Sequence, residues 1–234
     1  MRISVIIPAA GMGKRMGAQV NKQLLQIEGQ TITALTIRQF LAQKNIAEVI
    51  LVVNPDDRSA MSSVIESLGK IETPVKMVDG GKERVDSVMS GIGAVDATCT
   101  HVFVHDGARP FVDKELLNRL MRSLEEHDAV VPVVASKDTL KWMTSQHIDR
   151  TIDRNHVYRV QTPQCFTLEV ANRLKEHAAS SGNTFTDEAS ICEDLGIRVY
   201  GAVGSEWNIK LTTPEDMVLG RAIYTHLKGE NKCE

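Results

Sequence analysis

Apolar runs and helical stripes alternate through the first two-thirds of the chain. Ile3-Ser4-Val5-Ile6-Ile7 is a short apolar run that stops at Pro8-Ala9-Ala10-Gly11. Glu48-Val49-Ile50-Leu51-Val52-Val53 reads as a buried strand, closed by the turn residues Asn54-Pro55-Asp56. Met61, Val64, Ile65 and Leu68 then recur at i, i+3, i+4, i+7, the spacing that lines up one face of a helix. The same reading predicts a strand over 75–78, a helix over 84–94 and a strand over 101–105. Leu116, Leu117, Leu120, Met121 and Leu124 mark another amphipathic helix, and a strand follows over 129–134. Strand–helix alternation of this kind predicts an α/β fold of three layers, a mainly parallel sheet with helices on both faces.

Residues 136–161 break the pattern. The stretch is polar, alternates weakly and has no apolar helical face; Lys137, Lys141, Arg150, Arg154 and Arg159 against Asp138, Asp149 and Asp153 leave it net positive by two. A projecting β-arm that finds its burial against a second subunit would read this way, as would a plain surface loop. Beyond it, 168–180 and 187–195 are predicted helical and 199–203 a strand, while Pro214 opens a last helix with Leu219, Ile223 and Leu227 as its apolar stripe. No repeat or linker interrupts the chain, so 1–234 is read as one domain.

Composition changes the picture mainly by exclusion. The 234 residues are 42% hydrophobic and 24% charged with a formal net charge of −3, an ordinary globular balance. A nucleic-acid partner needs a broad basic surface and stacking rings, and aromatics are only 4%. No apolar run approaches membrane-spanning length, and Met1-Arg2-Ile3-Ser4 runs straight into a strand without a signal-peptide core, so a cytoplasmic location is expected. Cys99, Cys165, Cys192 and Cys233 show no Cys-x-x-Cys spacing, so neither zinc nor a disulfide framework is predicted.

The chemistry concentrates where the first strand ends. Ala9, Ala10, Gly11 and Gly13 carry almost no side chain, so a ligand reaches their backbone N–H groups, and Arg15 and Lys22 add two cations. An N–H-lined, cation-studded loop at the carboxyl end of a first strand suits a triphosphate. The spacing excludes the P-loop, and Gly-x-Gly-x-x-x-Gly is one residue too long for the dinucleotide fingerprint. Pro-Ala-Ala-Gly-x-Gly-x-Arg-Met followed by Lys-Gln resembles the opening of the 2-C-methyl-D-erythritol 4-phosphate cytidylyltransferases, enzymes of the non-mevalonate isoprenoid pathway.

Later segments agree with that resemblance. In Asp79-Gly80-Gly81-Lys82-Glu83-Arg84-Val85-Asp86-Ser87 the glycines permit close approach to a flat ring, with Ser87 facing the same crevice; the family holds cytosine here. Asp106, at a strand's carboxyl end in His105-Asp106-Gly107-Ala108-Arg109-Pro110, suits Mg²⁺ or another hard divalent cation. Asp106 paired with Arg109 as a plain turn cap is the bland alternative. Arg154 has the planar fork that grips a phosphate. Asp138-Thr139, Thr162-Pro163-Gln164, Thr186-Asp187-Glu188-Ala189 and Asn208-Ile209-Lys210 complete the family's pattern in its order. Thr186-Asp187 also reads as a helix cap. Two departures stand out: Asn21 replaces the family's frequent proline, and Leu24 its aromatic.

The resemblance implies transfer of a cytidylyl group from CTP to methylerythritol 4-phosphate. Catalytic roles fall to Arg15, Lys22, Arg154 and Lys210. Substrate contacts fall to Ala9, Ala10, Gly11, Gly13, Gly80, Gly81, Ser87, Asp106, Arg109, Thr139, Thr162 and Thr186. The implied assembly is a homodimer joined through the 136–161 arm. The alternatives are a ribitol 5-phosphate cytidylyltransferase and, in another class, a nucleotide-binding regulator with a dead site.

Overall fold

The computed structural model describes residues 1–11 and 22–230. The chain opens with β1 (Ile3–Pro8), and a 3-10 turn at Lys22–Leu24 leads into the small hairpin β2 (Gln26–Ile27) and β3 (Gln30–Thr31). Then come α1 (Ile32–Leu41), β4 (Ile46–Val53), α2 (Arg58–Glu66), β5 (Val75–Asp79), α3 (Arg84–Gly93), β6 (His101–Val104), α4 (Lys114–Ser123) and β7 (Ala129–Ala135). The excursion holds β8 (Leu140–Thr144), β9 (His147–Ile152) and β10 (Tyr158–Val160). The chain finishes with β11 (Gln164–Thr167), α5 (Leu168–Ser180), α6 (Glu188–Asp194), β12 (Tyr200–Val203) and α7 (Pro214–Glu230).

β1 sits inside the sheet, parallel to β4 on one side and β6 on the other, and β5 extends it beyond β4. Successive side chains of a strand point to opposite faces, and β1 divides its residues accordingly. Ile3, Val5 and Ile7 pack in one core with Ala34, Ile37 and Phe40 of α1, Met61 of α2 and Leu116, Leu117 and Leu120 of α4. Ile6 turns the other way, into a core with Val88 and Ile92 of α3, Val170 and Leu174 of α5, and Ile191 of α6. A Cβ on Gly91 would stand 2.5 Å from Ile6 Cγ2, so its absence is what lets α3 lie close on β1. Both faces are thus covered, as the alternation predicts.

The far side of the sheet is mixed. β11 runs antiparallel to β6 and to β7, β10 runs antiparallel to β7, and β12 is parallel to β7. Val130 is paired with both Cys165 and Tyr200, which places β11 and β12 along opposite edges of β7.

Several elements differ from the sequence reading. α1 and the β2–β3 hairpin carry no sequence prediction; Ile32 through Ile37 are all buried, so the first six residues of α1 show no polar side to reveal a period. Thr31 caps α1, its side chain accepting from the Ala34 N–H at 3.2 Å. In α7 the buried residues are Met217, Ile223 and Tyr224, packed with Ile27 and Leu211, whereas Leu219 is 49% exposed and leaves the expected stripe. The 136–161 excursion is also less detached than expected. Only β8 and β9 form a sheet of their own, while Tyr158–Val160 rejoins the main sheet on β7 and Gln161 is buried.

Candidate active site: a glycine-walled crevice around Asp106

Two loops at the carboxyl ends of β1 and β5, the strands on either side of β4, interlock. After β1 the Ala9 N–H donates to the Val52 carbonyl at 2.7 Å, and after β5 the Gly80 N–H donates to the Val53 carbonyl at 2.8 Å. These bonds bring Gly80 against the first loop so closely that a Cβ there would stand 2.8 Å from both Ala10 Cβ and Ser87 Oγ. At Gly81 a Cβ would stand 2.2 Å from Asp86 Cβ. Ser87 Oγ accepts from the Gly81 N–H at 3.2 Å and donates to the Glu83 carbonyl at 3.0 Å, holding the glycine turn onto the first turn of α3. Glu83 and Asp86 complete a capping box at the same helix start, satisfying N–H groups the helix leaves unpaired.

The crevice between these loops is lined by Ala10, Gly11, Gln23, Gly81, Arg84 and Lys210 around Asp106. Only 7% of Asp106 is exposed, and three cations surround it. Arg84 Nε lies 3.3 Å from Oδ1; Arg109 Nε at 3.4 Å and Lys210 Nζ at 2.8 Å approach Oδ2. Burial works against a charge here, but Arg84, then Lys210 and Arg109, outweigh it and hold the carboxyl well below the usual carboxylate range. The backbone N–H of Asp106 donates to Thr162 Oγ1 at 3.0 Å. Thr162 Oγ1 is also 3.1 Å from His105 Nδ1, and His105 Nε2 is 2.9 Å from the Arg109 carbonyl. That carbonyl only accepts, so Nε2 carries the proton and the threonine hydroxyl donates to Nδ1. Burial, acting on a ring already satisfied as neutral, pushes His105 down to about 4.

The residues singled out in the sequence fall into groups. Ala10, Gly11, Gly81, Ser87, Asp106 and Lys210 line one crevice. Gly80 shapes its wall. Ala9 is fully buried and Thr162 is 4% exposed, so both support the site from beneath and neither presents a side chain to a ligand. Arg109 likewise faces inward, donating from Nη1 to the Asn208 carbonyl at 2.8 Å. Asp187 caps α6 rather than Thr186, which is exposed beside it. Thr139 and Arg154 stand exposed on the excursion, apart from the crevice lining, with Arg154 Nη1 donating to the Lys137 carbonyl. Gly13 and Arg15 lie outside the described residues, and Lys22 opens the 3-10 turn at Lys22–Leu24.

Residues given no role in the sequence reading also belong to the site. Arg84 and Glu188 lie inside motifs quoted above, yet only their spatial meeting shows them as partners. Their side chains are joined by two bonds, Nη1–Oε1 at 2.7 Å and Nη2–Oε2 at 3.1 Å. Gln23 follows the loop lysine and packs under Gly107, where a Cβ would stand 2.3 Å from its Oε1. Asn208 is fully buried and ties the Lys210 segment to the Thr162 carbonyl at 2.7 Å.

A mainly parallel sheet whose strand ends form a glycine-walled, cation-rimmed crevice defines a protein of the nucleotidyltransferase type. The family model for 2-C-methyl-D-erythritol 4-phosphate cytidylyltransferase matches residues 3–226. The enzyme of that name from Geobacillus kaustophilus is 39% identical over 230 residues, covering 98% of this chain and 100% of its own. That from Clostridium botulinum strain Langeland is 39% identical over 226 residues, covering 96% and 98%. Among solved structures, the 4-diphosphocytidyl-2C-methyl-D-erythritol synthase of Anaerococcus prevotii superposes with a TM-score of 0.83 at 31% identity, covering 96% of this chain and 98% of that one. The Thermus thermophilus cytidylyltransferase gives 0.79 at 29% identity, covering 96% and 100%. The chain belongs to the 2-C-methyl-D-erythritol 4-phosphate cytidylyltransferase family.

Proposed function

We propose that this protein joins CTP to 2-C-methyl-D-erythritol 4-phosphate, forming the cytidine diphosphate derivative and releasing pyrophosphate. A phosphate oxygen of the acceptor attacks the α-phosphorus of CTP. The new P–O bond forms as the bond to the β-phosphate oxygen breaks, and pyrophosphate leaves with that electron pair. The acceptor phosphate is already ionised, so no general base is required. His105, the buried histidine beside the site, is engaged on both nitrogens and fits that economy.

The observation that carries this reading is Lys210 Nζ held over Asp106 between the Ala10–Gly11 and Gly80–Gly81 loops. In this reading the glycine turn takes the cytosine and the first loop the triphosphate. Arg15 and Lys22 neutralise charge as it develops on the phosphate oxygens, and positioning does most of the remaining work. Lys210, with Arg154 and Thr139 brought by the excursion of a second subunit, grips the acceptor phosphate.

A hard divalent cation fits the residues present. Among the described residues no group of three or more His, Cys, Asp or Glu could cage a metal alone. Both Asp106 oxygens already face cations, so a bound triphosphate would supply most of the oxygens Mg²⁺ favours, with the Asp106 carboxylate close by. When bound, such an ion would neutralise phosphate charge and hold the chain of phosphates in one geometry. Among the described residues no helix is long and apolar enough to cross a membrane, and a cytoplasmic location is part of this proposal.

Pyrophosphate release tests the reading. Purified protein with CTP is given methylerythritol 4-phosphate, ribitol 5-phosphate or no acceptor. Release with the first alone supports the reading, release with ribitol 5-phosphate favours the sister activity, and release with neither leaves a nucleotide-binding regulator.

A further inference from the structure

Arg84 begins α3 and Glu188 begins α6, and their side chains meet beneath the crevice fork to fork. Glu188 is fully buried and both its oxygens face Arg84. The Arg84 Nε–H is directed at Asp106 Oδ1. One planar group is therefore held along two edges, by Glu188 on one and Asp106 on the other.

Nothing in cytidylyl transfer asks for a carboxylate at position 188, which does not line the crevice. Taking such a charge out of water is costly, and apolar residues of similar volume often serve a fold as well or better. The two-point grip does supply something an apolar pair lacks. It fixes the plane of Arg84, and with it the direction from which Asp106 Oδ1 is engaged, leaving Oδ2 toward Arg109 and Lys210.

We propose that Glu188 is a positioning residue that acts through Arg84 to set the orientation of the Asp106 carboxylate. The proposal rests on the cytidylyl-transfer reading above. A lysine at 84 is a point charge and cannot reproduce a two-edged grip.

A double-mutant cycle tests it. Glu188→Gln is expected to lower kcat by about 10–100-fold, the scale seen when a ligating group loses its orienting partner. KM for CTP should stay within about three-fold, because the lost interaction is one of alignment. Arg84→Met combined with Glu188→Gln should be no slower than Arg84→Met alone, and Arg84→Lys should not restore turnover. Additive losses, unchanged kcat in Glu188→Gln, or a loss confined to KM would overturn the proposal. If the single variants fail to fold, Arg84→Met/Glu188→Leu removes both charges together; wild-type turnover in that folded variant would equally overturn it. A substrate-free measurement separates this proposal from the reaction itself. By ¹⁵N NMR the Arg84 Nη–H groups, which face Glu188, should exchange slowly in the wild type and at least about ten-fold faster in Glu188→Gln, since the ion pair that protects them is gone. Equal exchange in the two proteins would overturn the proposal whatever the substrate proves to be.

Discussion

Lys210 Nζ stands 2.8 Å from Asp106 Oδ2, and of the three cations around that carboxylate it is the most exposed, at 37% against 29% for Arg84 and 12% for Arg109. The arginines are anchored elsewhere, Arg84 by Glu188 and Arg109 by the Asn208 carbonyl. Lys210 is thus the cation that meets an incoming phosphate with the least rearrangement. Lys210→Met is expected to lower kcat/KM by about 10²–10³-fold, as for other single donors aimed at developing charge. Steady-state kinetics with the acceptor varied checks this; a loss under three-fold would remove Lys210 from the site.

Gly80→Ala places a methyl 2.8 Å from Ala10 Cβ and Ser87 Oγ, and 3.3 Å from the Val53 carbonyl. The Ala10 methyl and the Val53 carbonyl cannot swing aside, and Ser87 Oγ could do so only by giving up its bonds to Gly81 and Glu83. Overpacking of this kind costs about 1–3 kcal/mol, and it spreads the two loops that form the crevice. Urea unfolding should show that loss and calorimetry should show weaker CTP binding. Unchanged CTP affinity would mean that the turn does not hold the base.

Glu48 is a further buried anion, on β4 toward the opposite end of the sheet from Asp106. It accepts from Ser4 Oγ and the Asp96 N–H, both at 2.9 Å, and pairs with Lys76 at 2.6 Å. Burial raises its pKa, but the Asp96 N–H, Lys76 and Ser4 together leave it below the ordinary 4.5. Its folded value is depressed, so this stabilisation is present above the unfolded value and is lost as pH falls through the folded one. Glu48→Gln should therefore be less stable than wild type at pH 7 by about 1–3 kcal/mol, with the gap closing below pH 4.5. Denaturant titrations across that range check it; a gap independent of pH would show that the charge contributes nothing.

Trp142, Met143 and Ile148 on the β8–β9 hairpin are 55%, 52% and 61% exposed, and that hairpin pairs with no other strand among the described residues. If the hairpin docks on a second subunit and delivers Arg154 there, inactive Arg15→Ala and Arg154→Ala chains should complement. Refolded together in equal amounts they should recover about a quarter of wild-type sites, because half of the two-fold dimers are mixed and each has one intact site. Mixed dimers with no recovered activity would place Arg154 in its own chain's site.

The legible parts of this protein were those with a period or a spacing. β1, β4, α4 and α5 announce themselves by apolar runs or stripes because each has a polar side or a clear end. α1 does not, since its run of six buried residues from Ile32 to Ile37 hides the period, and β11 is four residues in a polar context. Within the site, loops at strand ends were readable from Gly80, Gly81 and Asp106. The Arg84–Glu188 pair was not, because 104 positions separate its members and only the folded sheet brings α3 and α6 together. Ala9, Arg109 and Thr162 are found by motif, but the motif does not show that their side chains turn into the protein. Position in a motif does not tell which way a side chain points.

The central claim is that a phosphate oxygen of the acceptor becomes bonded to the α-phosphorus of CTP. Phosphorus NMR of a reaction containing acceptor labelled with ¹⁸O in its phosphate observes that bond directly. Two coupled diphosphate resonances should appear in the cytidine product as free pyrophosphate accumulates, with all the ¹⁸O in the diphosphate and none in pyrophosphate. Consumption of CTP to CMP with the acceptor phosphate unchanged, or ¹⁸O in pyrophosphate, would contradict the account.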